Sequence, residues 1–177
     1  TLLHAGLIRL ARIDAPVIMA VNGTAGGGGL SMVLSGDYVI ASERAKFVSA
    51  YTSSGLTPDG SSTYYLAKHV GLLRAKELML TNRVLTADEA QAWGLVNKVV
   101  PTETVMDEAR AMAQCIASGP TKAFGGVKRL LDTAFSDGLE TQLDRETRSI
   151  ADMMRTTDGP AGIAAFLAKE TPRFEGK

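Results

Sequence analysis

Four consecutive glycines, Gly26 to Gly29, stand between two apolar runs, Val17 to Val21 and Leu30 to Leu34. Without a Cβ, glycine reaches backbone angles closed to other residues and lets a ligand approach the main chain closely. The first run holds β-branched residues and is bounded by Pro16 and Asn22-Gly23, so it reads as a buried strand. The second reads as a helix, and the N–H of Gly28 at its start suits a phosphate or a developing oxyanion. No Gly-Lys-Ser/Thr follows, which excludes a Walker loop, and the spacing to the next acidic residues does not match a dinucleotide fold. An oxyanion site fits better than either, or than a flexible glycine-rich connector.

A second chemical candidate is Asp59, in the turn Pro58-Asp59-Gly60 ahead of a stretch rich in Ser, Thr and Tyr. Composition alone favours a structural role, the side chain capping the helix that follows. Acid/base work is the alternative, and it requires partial desolvation, for which Leu56, Tyr64 and Tyr65 are the neighbouring apolar residues.

The segment Ala20-Val-Asn-Gly-Thr-Ala-Gly-Gly-Gly-Gly29, followed by Gly36-Asp37, resembles the signature of the crotonase (enoyl-CoA hydratase/isomerase) superfamily. The resemblance runs from about Leu7 to the C-terminus. It implies an α/β fold, a ββα spiral core over residues 1–100 lacking the family's N-terminal part, and a C-terminal helical oligomerisation segment over 101–177. It further implies that the Gly28 N–H binds the carbonyl of a CoA thioester, with a second donor supplied from upstream of Thr1. The loop Gly55-Leu-Thr-Pro-Asp-Gly-Ser-Ser-Thr63 is similar to that of the family's isomerases, including the epoxyphenylacetyl-CoA type, which makes Asp59 the catalytic acid/base. Ala25, Gly27, Ser31, Tyr51 and Phe166 fall at substrate-binding positions.

Two departures from the family pattern separate the possible reactions. Hydratases of the family use two glutamates, and Ser31 and Tyr51 occupy those positions. Neither can act as a carboxylate base, whereas a single carboxylate suits a proton shuttle between two carbons of a thioester-conjugated chain. An isomerase is therefore expected, with a hydratase or a catalytically inactive CoA-ester-binding subunit as the alternatives. No cofactor or metal is called for, since CoA belongs to the substrate. The expected partners are an acyl-CoA thioester and further copies of the chain, as a homotrimer or hexamer. Lys169 and Arg173 are candidates for CoA phosphates or solvated surface charges.

The elements that position these groups follow from periodicity. Leu3, Leu7 and Leu10 mark a helix over 2–13, Tyr38 to Ala41 a strand, and Lys46 to Val48 a third strand. Leu72 to Leu80 reads as a helix, Thr86-Ala-Asp-Glu89 as a capping box, Gly94 as a helix stop and Leu95 to Val100 as an edge strand. Beyond Pro101 three stripes follow: Val105, Ala109, Met112 and Ile116; Phe124, Val127, Leu131 and Ala134; Leu143, Ile150 and Met154. Trp93 and the single Cys115 read as core residues, and His4 and His69 as surface or helix residues without a telling partner.

Nineteen basic and nineteen acidic side chains cancel in the 177 residues, which speaks against nucleic acid or an anionic membrane as partner. One cysteine supports neither a disulfide framework nor a zinc site. With no signal peptide and no apolar run near the ~20 residues of a bilayer span, a cytoplasmic protein is expected. The absence of an initial methionine points to a fragment or a processed chain.

Overall fold

The first four strands of the chain pair across successive turns rather than with their immediate neighbours in sequence. In the computed structural model, which describes residues 1–177, β1 (Ile18–Val21), β2 (Thr24–Gly26) and α2 (Gly28–Leu34) form one ββα turn after the helix α1 (Leu2–Arg12). β3 (Tyr38–Ser42) and β4 (Lys46–Val48) begin the next turn, completed by α3 (Ser62–Val70) and α4 (Leu72–Thr81). β3 lies parallel to β1 with Tyr38 beside Ile18, and β4 lies parallel to β2 with Lys46 beside Thr24. Each turn thus sends its first strand to one sheet and its second to another, the parallel pairing being possible because a helix carries the chain back. β5 (Leu85–Thr86) adds antiparallel to β4, and after α5 (Ala87–Ala92) β6 (Lys98–Val100) adds parallel to β3 at the edge of the first sheet.

Alternation along β3 explains why both faces of the first sheet are covered. Val39 and Ala41 join a core with Phe47, Leu66, Leu78 and Leu85, while Ile40 between them packs with Val100, Val105 and Ala109 at the start of α6 (Val105–Ala117). Backbone contacts group Thr1–Ala11 with Val17–Met112 as one unit, and Arg12–Pro16 with Ala113–Lys177 as another.

The expected strand from Leu95 is shortened at its start. Gly94, at φ 85°, closes α5 in a left-handed turn in which Gly94 N–H bonds Gln91 O at 3.0 Å and Leu95 N–H bonds Ala90 O at 2.8 Å. Leu95 is thereby committed to the helix end, and the Asn97 side chain accepts Val39 N–H at 2.8 Å where a strand carbonyl would otherwise do so. The capping box at Thr86 forms as expected, with Thr86 Oγ1 accepting Glu89 N–H and the Glu89 carboxylate accepting Thr86 N–H.

In the second unit α7 (Thr121–Thr133), α8 (Leu139–Met153) and α9 (Asp158–Ala168) follow one another. Asp14 accepts from Arg129 at 2.6 Å and Lys122 at 3.1 Å. Those bonds, with Arg129 first, hold its carboxyl below the usual carboxylate range. Gly125 admits this arrangement, because a Cβ there would lie 2.1 Å from Asp14 Oδ1. Buried Asp158 accepts the N–H groups of Glu175 and Gly176 at 2.7 and 2.8 Å, folding the tail back onto the start of α9.

One expectation about packing is corrected. Cys115 is exposed, because the face of α6 that turns inward carries Val105 and Ala109, with Met112 and Ile116 half-buried, and Cys115 lies off that line. The later stripes do not form a core within the chain: Val127, Leu131, Leu143, Ile150 and Met154 are all exposed, and α7 buries only Gly125 and Gly126. Trp93 is half-buried against the first core and carries the guanidinium groups of Arg74 and Arg83 on its ring.

Candidate active site

The glycine bend is built by one unusual residue. Gly27 N–H bonds Val48 O at 3.2 Å, continuing the β2–β4 ladder by one step, and its φ of 52° and ψ of −120° then turn the chain into α2. A side chain is disfavoured at that φ. Gly28 opens the helix with its N–H among those that have no intrahelical acceptor. A Cβ placed on Gly28 would meet only the Tyr51 hydroxyl, at 4.0 Å, and one on Gly29 would meet nothing within 4 Å. Ala25, on β2 beside Phe47, is buried.

Asp59 reaches the same side of this unit through Tyr51 and Ser31. The Tyr51 hydroxyl donates to Asp59 Oδ1 at 2.8 Å and lies 3.2 Å from Ser31 Oγ. Ser31, fully buried one turn into α2, donates to the Asp59 main-chain oxygen at 2.9 Å, and Ser62 Oγ donates to the same oxygen at 3.0 Å. Gly60 follows at φ 60°, where a Cβ would come within 3.0 Å of Ser31 Cβ, so the loop rests directly on the helix.

This arrangement overturns the capping role considered for Asp59. α3 begins at Ser62 behind Ser61, which has a φ of 70° and makes no side-chain cap. Asp59 supplies its carbonyl to Ser62 N–H at 3.2 Å, leaving the carboxylate free to face Tyr51. The apolar shelter expected from Leu56 and Tyr64 is also absent. Leu56 is 61% and Tyr64 45% exposed, Tyr64 standing edge-on to Tyr65 and accepting from Lys68 at 2.6 Å. The Asp59 side chain is 56% exposed.

His4 is the residue that reading the sequence misses. Its Nε2 lies 3.6 Å from Asp59 Oδ2, on the carboxylate oxygen that Tyr51 does not use. A signal existed in the periodicity of α1: His4 precedes buried Leu7 by three residues and shares its face, and Leu7 Cδ1 sits 3.6 Å from the Cβ position of Gly60. His69 stays structural, its Nε2 3.2 Å from Leu34 O and its ring stacked on Tyr65. Burial, and then the Asp59 carboxylate, push the Tyr51 phenol above its ordinary pKa of 10.0, so it remains a proton donor at neutral pH.

Gly27, Gly28, Ser31, Tyr51 and Asp59 are therefore brought together in one unit, with Ala25 buried in the adjoining strand. Phe166 belongs to the second unit, on α9, and is 80% exposed. No three His, Cys, Asp or Glu side chains converge as metal ligands would. Chemically, the first group, with His4 beside it, combines a glycine amide at a helix start with one carboxylate and one imidazole. That set can polarise a carbonyl and move a proton beside it.

The family described as enoyl-CoA hydratase/isomerase matches residues 3–177. The chain is 42% identical over 169 residues to the 1,2-epoxyphenylacetyl-CoA isomerase of Escherichia coli (strain K12), covering 96% of this chain and 64% of that protein. It is 38% identical over 167 residues to 4-chlorobenzoyl coenzyme A dehalogenase-1 of Arthrobacter sp, covering 94% of this chain and 60% of that one. It thus spans less than two thirds of the length of both. A crystal structure of an enoyl-CoA hydratase from Polaromonas sp. JS666 superposes with a TM-score of 0.92 at 35% identity, over 98% of this chain and 67% of that one.

Proposed function

This chain belongs to the enoyl-CoA hydratase/isomerase family and has its crotonase fold, and on that premise we propose that it is an acyl-CoA isomerase. The Gly28 N–H polarises the thioester carbonyl. Asp59 takes a proton from one carbon of the acyl chain and returns it to another, through a dienolate whose oxygen the amide stabilises. The second oxyanion donor is the one the family resemblance places ahead of Thr1. Ala25, Gly27, Ser31, Tyr51 and Phe166 are the substrate-binding positions carried over from the resemblance, and no separate cofactor takes part.

The observation that carries this reading is the bond from Tyr51 to a single carboxylate whose main-chain oxygen is held on α2 by Ser31, with the two hydroxyl oxygens 3.2 Å apart. Ser31 and Tyr51 occupy the positions where a hydratase of the family would hold its two glutamates, so the usual two-carboxylate activation of water has no counterpart in these side chains. The apolar stripes left exposed on α7 and α8 support residues 101–177 as a segment that joins copies into a homotrimer or hexamer. No helix is long and apolar enough to cross a membrane, and a cytoplasmic location is part of the proposal.

One observation favours a second reading. A carboxylate with an imidazole at 3.6 Å can attack a carbon bearing a leaving group, forming an ester as the carbon–halogen bond breaks. Water deprotonated by His4 would then hydrolyse that ester, which is the chemistry of displacing halide from an aromatic acyl-CoA and agrees with the name of the Arthrobacter relative.

The test uses the full product of the gene, wild type and Asp59→Asn, against a 3-enoyl-CoA and a 4-halobenzoyl-CoA. Conjugation of the enoyl ester, seen in the ultraviolet, is expected to fall at least about 100-fold in the variant while CoA-ester binding persists. Unchanged turnover discards the assignment of Asp59. Halide release by the wild type selects the second reading, and binding without turnover of either ester makes the chain a binding subunit.

A further inference from the structure

The two oxygens of Asp59 are not equivalent. Oδ1 accepts the Tyr51 hydroxyl at 2.8 Å, whereas Oδ2 has only the His4 imidazole nearby, at 3.6 Å and beyond hydrogen-bond length. The groups facing Asp59 come from every element around it: His4 from α1, Ser31 from α2, Tyr51 from the turn after β4, and Ser62 from α3. Ser31 and Ser62 hold the main-chain oxygen, so the backbone is fixed and the carboxylate's remaining freedom is rotation about its own side-chain bonds. Tyr51 is the group that stops that rotation.

We propose that Tyr51 is a positioning residue that pins Oδ1 of Asp59 and thereby makes Oδ2 the oxygen that carries the substrate's proton. Ser31 serves as the foot of this device, 3.2 Å from the phenol and fully buried in α2, the helix that Gly28 opens. A donor on one carboxylate oxygen holds the group in one rotamer. The inference rests on the proton-shuttle reading for its kinetic consequence, but not for its structural one.

The test compares wild type with Tyr51→Phe, which removes a single hydroxyl and keeps the ring that packs near Gly27. Tyr51→Phe is expected to lower kcat for the 3-enoyl-CoA about 10- to 100-fold, the range of a hydrogen bond to a charged group, with KM changing less than about threefold. A readout free of turnover is the crystal structure of each protein. The Asp59 carboxylate is expected in one rotamer in wild type and in more than one in Tyr51→Phe. A single unchanged rotamer in Tyr51→Phe overturns the inference, as does a loss confined to KM. A freed rotamer in a protein that isomerises nothing leaves the positioning role standing and removes the isomerase reading instead.

Discussion

Replacing Gly28 by proline and, separately, by alanine tests the amide without disturbing the fold around it. Proline is accepted at the first position of a helix, where its missing N–H would have had no intrahelical acceptor. Gly28 is that position, and Gly27 before it has a ψ of −120°, outside the α region that a following proline disfavours. The Ser31 N–H to Gly27 O bond of 3.1 Å involves neither the nitrogen nor the Cβ of residue 28. The added Cβ meets the Tyr51 hydroxyl at 4.0 Å, an ordinary contact. Both variants should therefore melt near the wild type, each gaining at most about 0.4–1 kcal/mol from a stiffer unfolded chain.

Their activities should part widely. Losing one oxyanion donor costs about 100- to 1000-fold in rate, or roughly 2.7–4 kcal/mol of transition-state stabilisation, and only proline loses it. The assay is the rise in conjugated enoyl-thioester absorbance from a 3-enoyl-CoA, run beside a thermal melt of each variant. Gly28→Ala should stay within a few-fold of wild type, while Gly28→Pro falls by the full factor at similar melting temperature. A proline variant turning over within about threefold of the alanine variant would show that the N–H is not the donor.

Two further outcomes concern stability. Thr86→Ala removes one half of the capping box at α5 and should destabilise by about 1 kcal/mol, read as a fall of a few degrees in melting temperature. Asp14 has a folded-state pKa below its unfolded value, so its contribution is fully present above the unfolded pKa of about 3.9 and is lost as pH falls through the folded one. Urea midpoints of wild type and Asp14→Asn should accordingly differ at pH 6 and converge in acid. A gap that does not narrow as pH falls below about 3.9 would mean that the bonds to Arg129 and Lys122 do not act through charge.

What the sequence makes legible is whatever is decided within a few residues. The glycine bend, the Thr86 capping box and the Gly94 stop are local choices of backbone angle and short hydrogen bonds, and each occurs where its residues predict. Asp59 stands in a turn for the same reason, yet its role as a cap fails. A cap and a catalytic carboxylate share composition and differ only in which way the side chain points, and that is settled by Tyr51, eight positions back along the chain. The His4 contact depends on α1 lying across the Gly60 loop, a tertiary fact that pattern reading reaches only through the buried face of Leu7. The apolar stripes of α7 and α8 show the converse limit. Periodicity predicts an apolar face correctly and says nothing of whether the chain itself covers it.

The exposure of Asp59 is easier to understand once its anchoring is separated from its head. The proton transfer proposed for Asp59 needs open space at the carboxylate oxygens, and 56% exposure provides it. Precision then has to come from below. Ser31 supplies it, its buried hydroxyl donating to the Asp59 main-chain oxygen at 2.9 Å, a shorter approach than its 3.3 Å to Gly27 O. Gly60 allows the approach by lacking the Cβ that would collide with Ser31. The amide of Gly28 opens the same helix three residues earlier. The distance between the group that would steady the oxyanion and the group that would move the proton is thus set by one turn of α2, so a substitution at Ser31 should disturb both ends of the reaction although it touches neither reacting atom.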